Sequence, residues 1–235
     1  MPTLNAPRRG RATVGHAWVI ALVVVASVAS VAGGAGGATP LRAQGTEPAK
    51  RFPQVTREQL TPGQRPIAEE ILKVSSIGLG GPYNLMLRSP VMGERLFRLL
   101  DYLRFNTSLP RRLNELAILI QARLWTSQVE WYAHQPLAVK AGLSEAITAD
   151  LKEGRRPASM AADEAAVYDF CMELSTRHAV SDETFARALT ILGEQQLVDL
   201  IAVSGTYVTV AMLLNAGQEP VPAGQKPPLA PLPAR

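Results

Sequence analysis

Two carboxylates and a histidine in the middle of this chain have the types and spacing for proton transfer. Glu115 precedes the apolar run Leu116–Leu124, and Glu130 and His134 follow in the segment Trp125-Thr126-Ser127-Gln128-Val129-Glu130-Trp131-Tyr132-Ala133-His134. Four residues separate Glu130 from His134, so on a helix they share a face, one turn apart. If the two segments pack as helices, Glu115, Glu130 and His134 converge. A carboxylate and an imidazole beside an apolar wall are the parts that proton transfer near neutral pH requires. Histidine is scarce: His16, His134 and His178 are the three.

The neighbouring residues extend the same reading. Ser127 could donate a hydrogen bond to a substrate oxygen, and Trp125, Trp131 and Tyr132 could form the apolar wall. Each residue also has a structural reading that the sequence leaves open. Glu115 could pair with Arg111, Arg112 or Arg123. Ser127 could cap the helix that carries Glu130. Tryptophans are more often core or interface residues than substrate platforms. His178 falls at a helix C-terminus, where a dipole contact explains it. One histidine with two glutamates is thin ligation for a metal, so neither a metal nor another cofactor is expected.

The whole stretch resembles the carboxymuconolactone decarboxylase family, which includes the alkylhydroperoxidase D-like proteins. The resemblance runs from about Phe52 to Pro222. It is carried by Leu113-Asn114-Glu115-Leu116-Ala117-Ile118-Leu119, by Glu130-Trp131-Tyr132-Ala133-His134 and by Ala138-Val139-Lys140-Ala141-Gly142-Leu143-Ser144. Gly81-Pro82-Tyr83-Asn84, Gly205-Thr206-Tyr207 and Leu213-Leu214-Asn215-Ala216 flank it. The peroxidase branch has a Cys-x-x-Cys pair with a histidine four residues beyond and a glutamate upstream. Here Ser127 and Glu130 occupy the two cysteine positions, with His134 and Glu115 in place.

Neither a hydroxyl nor a carboxylate can cycle through a disulfide. Cys171, the only cysteine, lies some forty residues later among Val167, Phe170 and Leu174 and is expected to pack as a small hydrophobe. Dithiol peroxidase chemistry is therefore not expected. The resemblance implies a decarboxylase-like lyase that acts without a cofactor on a small lactone or oxo acid. His134 and Glu115 would be the proton-transfer pair, with Glu130 orienting His134 or holding a substrate group. It also implies a compact all-α bundle assembling as a trimer or hexamer through paired helical hairpins. The competing class is a ligand-binding relative that keeps the fold without the reaction; a closed rather than open Glu115–Glu130–His134 region would favour it.

The elements that must position these residues are helical. Helix-period segments with capping signals follow one another from residue 56 to 217, with no convincing alternating strand. Thr61-Pro62 with Gln64 starts the first, and Gly78 to Pro82 reads as a turn. Ser89-Pro90 opens a helix with Leu96, Leu99, Leu100 and Leu103 inward. Ser108-Leu109-Pro110 opens the Glu115 helix, and the next ends at Gly142. Ser144 caps a short helix to Gly154. Asp163 to Arg177 is helical, Ser181 caps Asp182 to Leu192, and a last apolar helix runs from Glu194 to about Asn215. That helix reads as buried in the core or between subunits, and as too short and too interrupted to cross a membrane. About seven to eight helices result.

The ends differ in composition. Arg8, Arg9 and Arg11, the apolar run Ala17 to Ala32 and a Gly/Ala stretch predict a signal peptide over residues 1–43 and a periplasmic or secreted protein. An uncleaved anchor is the alternative, and the only membrane contact foreseen. Residues 44–55 read as a polar leader and 218–235 as a Pro-rich extended tail. Four of the 24 basic residues lie in residues 1–43, which hold no acid, so the remainder carries 20 basic against 20 acidic residues. A neutral chain without a basic, aromatic-interleaved patch is not suited to nucleic acid.

Overall fold

The computed structural model describes residues 50–232. The expected signal peptide, the first half of the polar leader (residues 44–49) and the last three residues lie outside the described residues. Within them are eight α-helices, one π-helical turn and no strand.

α1 (Arg65–Val74) has a proline in its first turn and buries Ile67, Ala68 and Ile71, one stripe at helical spacing. Gly78 and Gly81 take positive φ in the turn before α2 (Pro82–Met86). α3 (Pro90–Asp101) crosses α2 so closely at Gly93 that a Cβ there would lie 2.3 Å from the Met86 carbonyl oxygen. Leu100 and Leu103 point inward as expected and Leu96 packs at the core's edge, but Leu99 is exposed.

Leu99 lies about 100° round the helix from Leu100, outside the Leu96–Leu100–Leu103 stripe. A π-helical turn, Tyr102–Asn106, follows α3, and its extra residue per turn puts the faces on either side of it out of register. Asp199 fixes this turn from across the bundle. Its carboxylate accepts hydrogen bonds from Tyr102 Oη (3.2 Å), Thr107 Oγ1 (2.8 Å) and both the backbone N–H (2.8 Å) and Oγ (2.7 Å) of Ser108.

α4 (Arg111–Leu124) is the central helix, buried on every side from Leu113 to Arg123. It forms an antiparallel hairpin with α5 (Gln128–Lys140) and packs on α6 (Glu145–Lys152), α7 (Ala162–Arg177) and α8 (Asp182–Gly217). Ser144 and Ser181 cap α6 and α8 by accepting from Ala146 N (3.2 Å) and Thr184 N (3.3 Å). Within α8, Gly193 adopts φ 74°, ψ 170° and breaks the helix into the two pieces that the sequence separates at that residue. By length and composition the helix could cross a membrane, contrary to the sequence reading. Yet 56% of its most apolar window is buried inside the bundle, as befits a core helix.

The two flanking segments are held to the bundle. Asn84 Oδ1 accepts from Val55 N (3.0 Å), its Nδ2 donates to Phe52 O (3.2 Å), and Lys50 pairs with Glu219 at 2.8 Å. In the tail, the Gln128 side chain donates to Leu229 O (2.8 Å) and accepts from Leu229 N (2.9 Å), and Val221 and Leu229 are buried. The tail is extended, as its prolines suggest, but docked.

Candidate functional site

The α4–α5 hairpin places Glu115, in the second turn of α4, opposite His134 in α5. Glu115 Oε2 lies 2.7 Å from His134 Nδ1, and Arg111 Nε donates to Glu115 Oε1 at 2.9 Å. Of the three arginines that could pair with Glu115, the fold uses Arg111, one turn before it. Arg112 binds Asp163 and Glu164 instead, and Arg123 Nε is buried without a partner. Glu115 and His134 are 2% and 8% exposed. Burial works against the Glu115 carboxylate. The charge and hydrogen bond of His134, with Arg111 and Arg104, outweigh it and hold this carboxyl below its ordinary range.

A carboxylate on Nδ1 fixes the imidazole: Nδ1 carries the proton, and Nε2 becomes the nitrogen that exchanges one. His134 Nε2 has no hydrogen-bond partner among the described residues. Tyr207 of α8 packs edge-on to the ring, with centroids 5.1 Å apart and planes at 87°. Burial pushes the Tyr207 phenol far up, with Glu115 and Glu130 adding to the effect against Arg104, so it keeps its proton.

Glu130 lies one turn before His134, as its spacing requires, but does not orient it; Glu115 does. Glu130 is 2% exposed, and neither carboxyl oxygen has a hydrogen-bond partner. Burial drives its pKa well above the carboxylate range, with Ser127 opposing, and so favours the neutral form of this carboxyl. Ser127 occupies the N-cap position of α5 without capping it, and its buried Oγ is also unpartnered. Geometry thus supports neither the capping role nor a hydroxyl open to solvent.

The expected aromatic wall does not form. Trp131 is core, at 3% exposure, whereas Trp125 and Tyr132 face outward at 38% and 37%. Tyr132 is two residues from His134, which puts it on the other side of α5. Trp125 ends α4, about 15 Å along the axis from Glu115 at 1.5 Å per residue. There it lines a separate cavity of about 520 Å³ with Gln121, Ser175, His178 and Leu232. Neither this cavity nor a second one beside Arg123 and Tyr168 is lined by Glu115, Glu130 or His134.

Two residues that the sequence reading passed over complete the site: Tyr207, and Arg104 from the π turn. Arg104 Nη1 lies 3.5 Å from Tyr83 Oη, its guanidinium stacks 5.0 Å from the Phe105 ring, and its Nε is buried without a partner. Burial opposes its charge, but Tyr207, Tyr83 and Glu115 more than offset that. Among the described residues, no group of three or more His, Cys, Asp or Glu side chains is placed to hold a metal ion.

Cys171 is fully buried between α7 and α8, 3.4 Å from Ser204 Oγ, and burial pushes its thiol up to about 12. A thiol held in that form is a poor nucleophile. In native protein at pH 8 it is expected to resist a disulfide-exchange reagent such as dithionitrobenzoate and to react fully in denaturant. Stoichiometric reaction of the native chain would contradict this burial.

No family model and no curated protein matches the chain. Solved structures do. The alkylhydroperoxidase AhpD core of an uncharacterized peroxidase-related protein from Ralstonia eutropha JMP134 superposes with a TM-score of 0.63 over 75% of this chain and 94% of its own, at 13% identity. The chain has the alkylhydroperoxidase D-like fold. A second uncharacterized peroxidase-related protein, from Silicibacter sp. TM1040, agrees, with a TM-score of 0.58, 12% identity and coverage of 80% and 96%. At such identities the likeness is one of fold, and the chemistry has to come from the residues. Within this alkylhydroperoxidase D-like bundle they are a hydrogen-bonded His–Glu–Arg chain, a phenol, a guanidinium without an ion-pair partner among the described residues, and a buried carboxyl. They can move protons; with no second thiol in the chain, they cannot run a dithiol cycle.

Proposed function

We propose that the protein is a proton-transfer enzyme of the decarboxylating lyase type, acting on a small lactone or oxo acid. The observation that carries this reading is the buried Glu115–His134 hydrogen bond, which leaves Nε2 as the exchangeable nitrogen. When carbon dioxide leaves from the carbon next to a ketone or lactone carbonyl, the electron pair of the broken carbon–carbon bond stays on that carbon and spreads into that carbonyl. His134, protonated on Nε2 for this step, gives that proton to the carbon and takes a replacement from water, whose hydroxide combines with the carbon dioxide as bicarbonate. Glu115 holds the ring's orientation and balances its charge, and Arg111 holds Glu115.

The test is a screen of the purified full chain against lactones and oxo acids, following carbon dioxide release, with His134→Ala in parallel. Release that the variant loses supports the reading. Release from no substrate, by folded protein, would leave the second reading: a ligand-binding relative, favoured by the near-closure of the dyad and by the cavities lying elsewhere.

Assembly into a trimer or hexamer is proposed with it. Val198 and Met212, fourteen residues apart, lie on one outer face of α8 beyond the Gly193 break, beside Ile201, and all three are exposed. Light scattering of the full chain is expected to give a multiple of 25.3 kDa. The mass of a single chain would sink the proposal.

A further inference from the structure

We propose that Arg104 is the anion-binding residue of the Glu115–His134 site, and that the ligand it takes is a small organic carboxylate. The proposal rests on the proton-transfer reading for its place beside His134; binding itself needs no proton donor.

Arg104 is half-buried, and its buried Nε–H is left without an acceptor, an arrangement that costs stability unless something pairs with it. Arg111, Arg112, Arg155 and Arg156 all have carboxylates within ion-pair distance. Arg104 has none among the described residues. Its polar side-chain contact is the long one, 3.5 Å, to Tyr83 Oη, and its Nε is buried without any acceptor. Glu115, whose charge acts on Arg104, is already taken by Arg111 and His134.

The fold goes to some length to place this side chain. The π turn Tyr102–Asn106 breaks the phase of α3, and the four donors gathered by Asp199 lock the segment from Tyr102 to Ser108. Local π geometry is often found at functional sites. The planar fork of a guanidinium matches a carboxylate with two parallel hydrogen bonds. Tyr83 Oη lies 3.5 Å from Arg104 Nη1 and Tyr207 packs against the His134 ring, and each phenol has an O–H to donate. One uncommitted cation with neutral donors suits a monoanion better than a phosphate dianion. The low exposure of His134 limits the ligand to a small one.

The probe is sodium 2-oxobutanoate, titrated calorimetrically into the full chain at constant ionic strength. Methyl 2-oxobutanoate and inorganic phosphate serve as comparisons. The carboxylate is expected to bind saturably, with the neutral ester at least about 10-fold weaker, the loss that follows from removing a charged hydrogen-bonded pair. Arg104→Gln should weaken the carboxylate by a similar factor. Arg177→Gln, an exposed arginine paired with Glu173, should leave it unchanged.

Ester binding as tight as the acid, phosphate binding as tight as the acid, undiminished binding by Arg104→Gln, or no binding by the wild-type chain would each overturn the proposal. The acid–ester comparison needs no variant, so it decides even if Arg104→Gln fails to fold. Carboxylate binding that survives His134→Ala, without turnover of any substrate, would sink the proton-transfer reading and leave this one standing. Carbon dioxide release from a lactone acid, undiminished by Arg104→Gln and without 2-oxobutanoate binding, would do the reverse.

Discussion

Glutamine at position 115 is expected to lower carbon dioxide release about 10²- to 10⁴-fold, the range that a positioned acid–base pair contributes. The substitution keeps the shape of the side chain and removes its charge. Glutamine also brings an amide N–H₂ that can donate to Nδ1 and turn the ring to the wrong tautomer. His134→Ala should cost a similar factor. The double variant should be scarcely worse than either single one, because residues acting as a unit are not additive. Stability supplies an independent readout. The Glu115 carboxyl is held below its ordinary range in the folded chain. Its contribution is therefore fully present above the unfolded carboxyl pKa of about 4.3 and is lost as pH falls through the folded value. Glu115→Gln should lose about 1.5–3 kcal/mol at pH 7, the usual worth of a hydrogen bond to a charged group, with the gap to wild type closing in acid. Unaltered turnover of an identified substrate by Glu115→Gln would remove it from the reaction.

Methionine at position 130 should have the opposite sign. Glu130 is buried with both oxygens unpartnered, and its pKa is raised well above the carboxylate range. Below about pH 4 both folded and unfolded states hold the proton. Above that, the unfolded chain releases it and the folded chain keeps it, so wild-type stability falls as pH rises toward the folded pKa. An apolar side chain of similar size removes both this penalty and the unpaired polar group. Glu130→Met is expected to gain about 1–3 kcal/mol at pH 8 over wild type, with the advantage shrinking toward pH 4. Denaturant titrations at the two pH values measure it. A variant less stable at pH 8, or equally shifted at both, would mean that Glu130 has a partner when the protein is in solution. Turnover adds a second distinction: a stored proton is dispensable, whereas a group that meets the substrate is not.

The helices were largely legible because their signals are local. Ser144 and Ser181 cap the helices they precede, the break at Gly193 falls where one apolar period ends and another begins, and Glu115 and His134 meet because a short turn folds α4 back onto α5. What was not legible depends on a neighbour far along the chain. Arg104 reaches the site from a π turn that Asp199, nearly a hundred residues later, stabilises. Ser127 sits at a cap position but does not cap. Trp125 and Tyr132 look like a wall when written beside His134, yet the helix turns them away from it. The tail's docking depends on one glutamine, Gln128, whose amide matches a backbone N–H and C=O across the fold. None of these leaves a periodic mark in the sequence.

The meeting of Lys50 with Glu219, and of Arg51 N with Gly217 O at 3.1 Å, has a mechanical consequence. Tension applied to the chain upstream of residue 50 does not enter through α1, the first helix in order. It passes through the Lys50–Glu219 and Arg51–Gly217 links and the Asn84 hydrogen bonds into the far end of α8. These links lie at the chain's entry to the bundle, so under load they are expected to part before the Glu115–His134 pair is strained, an order that single-molecule pulling from that end would show.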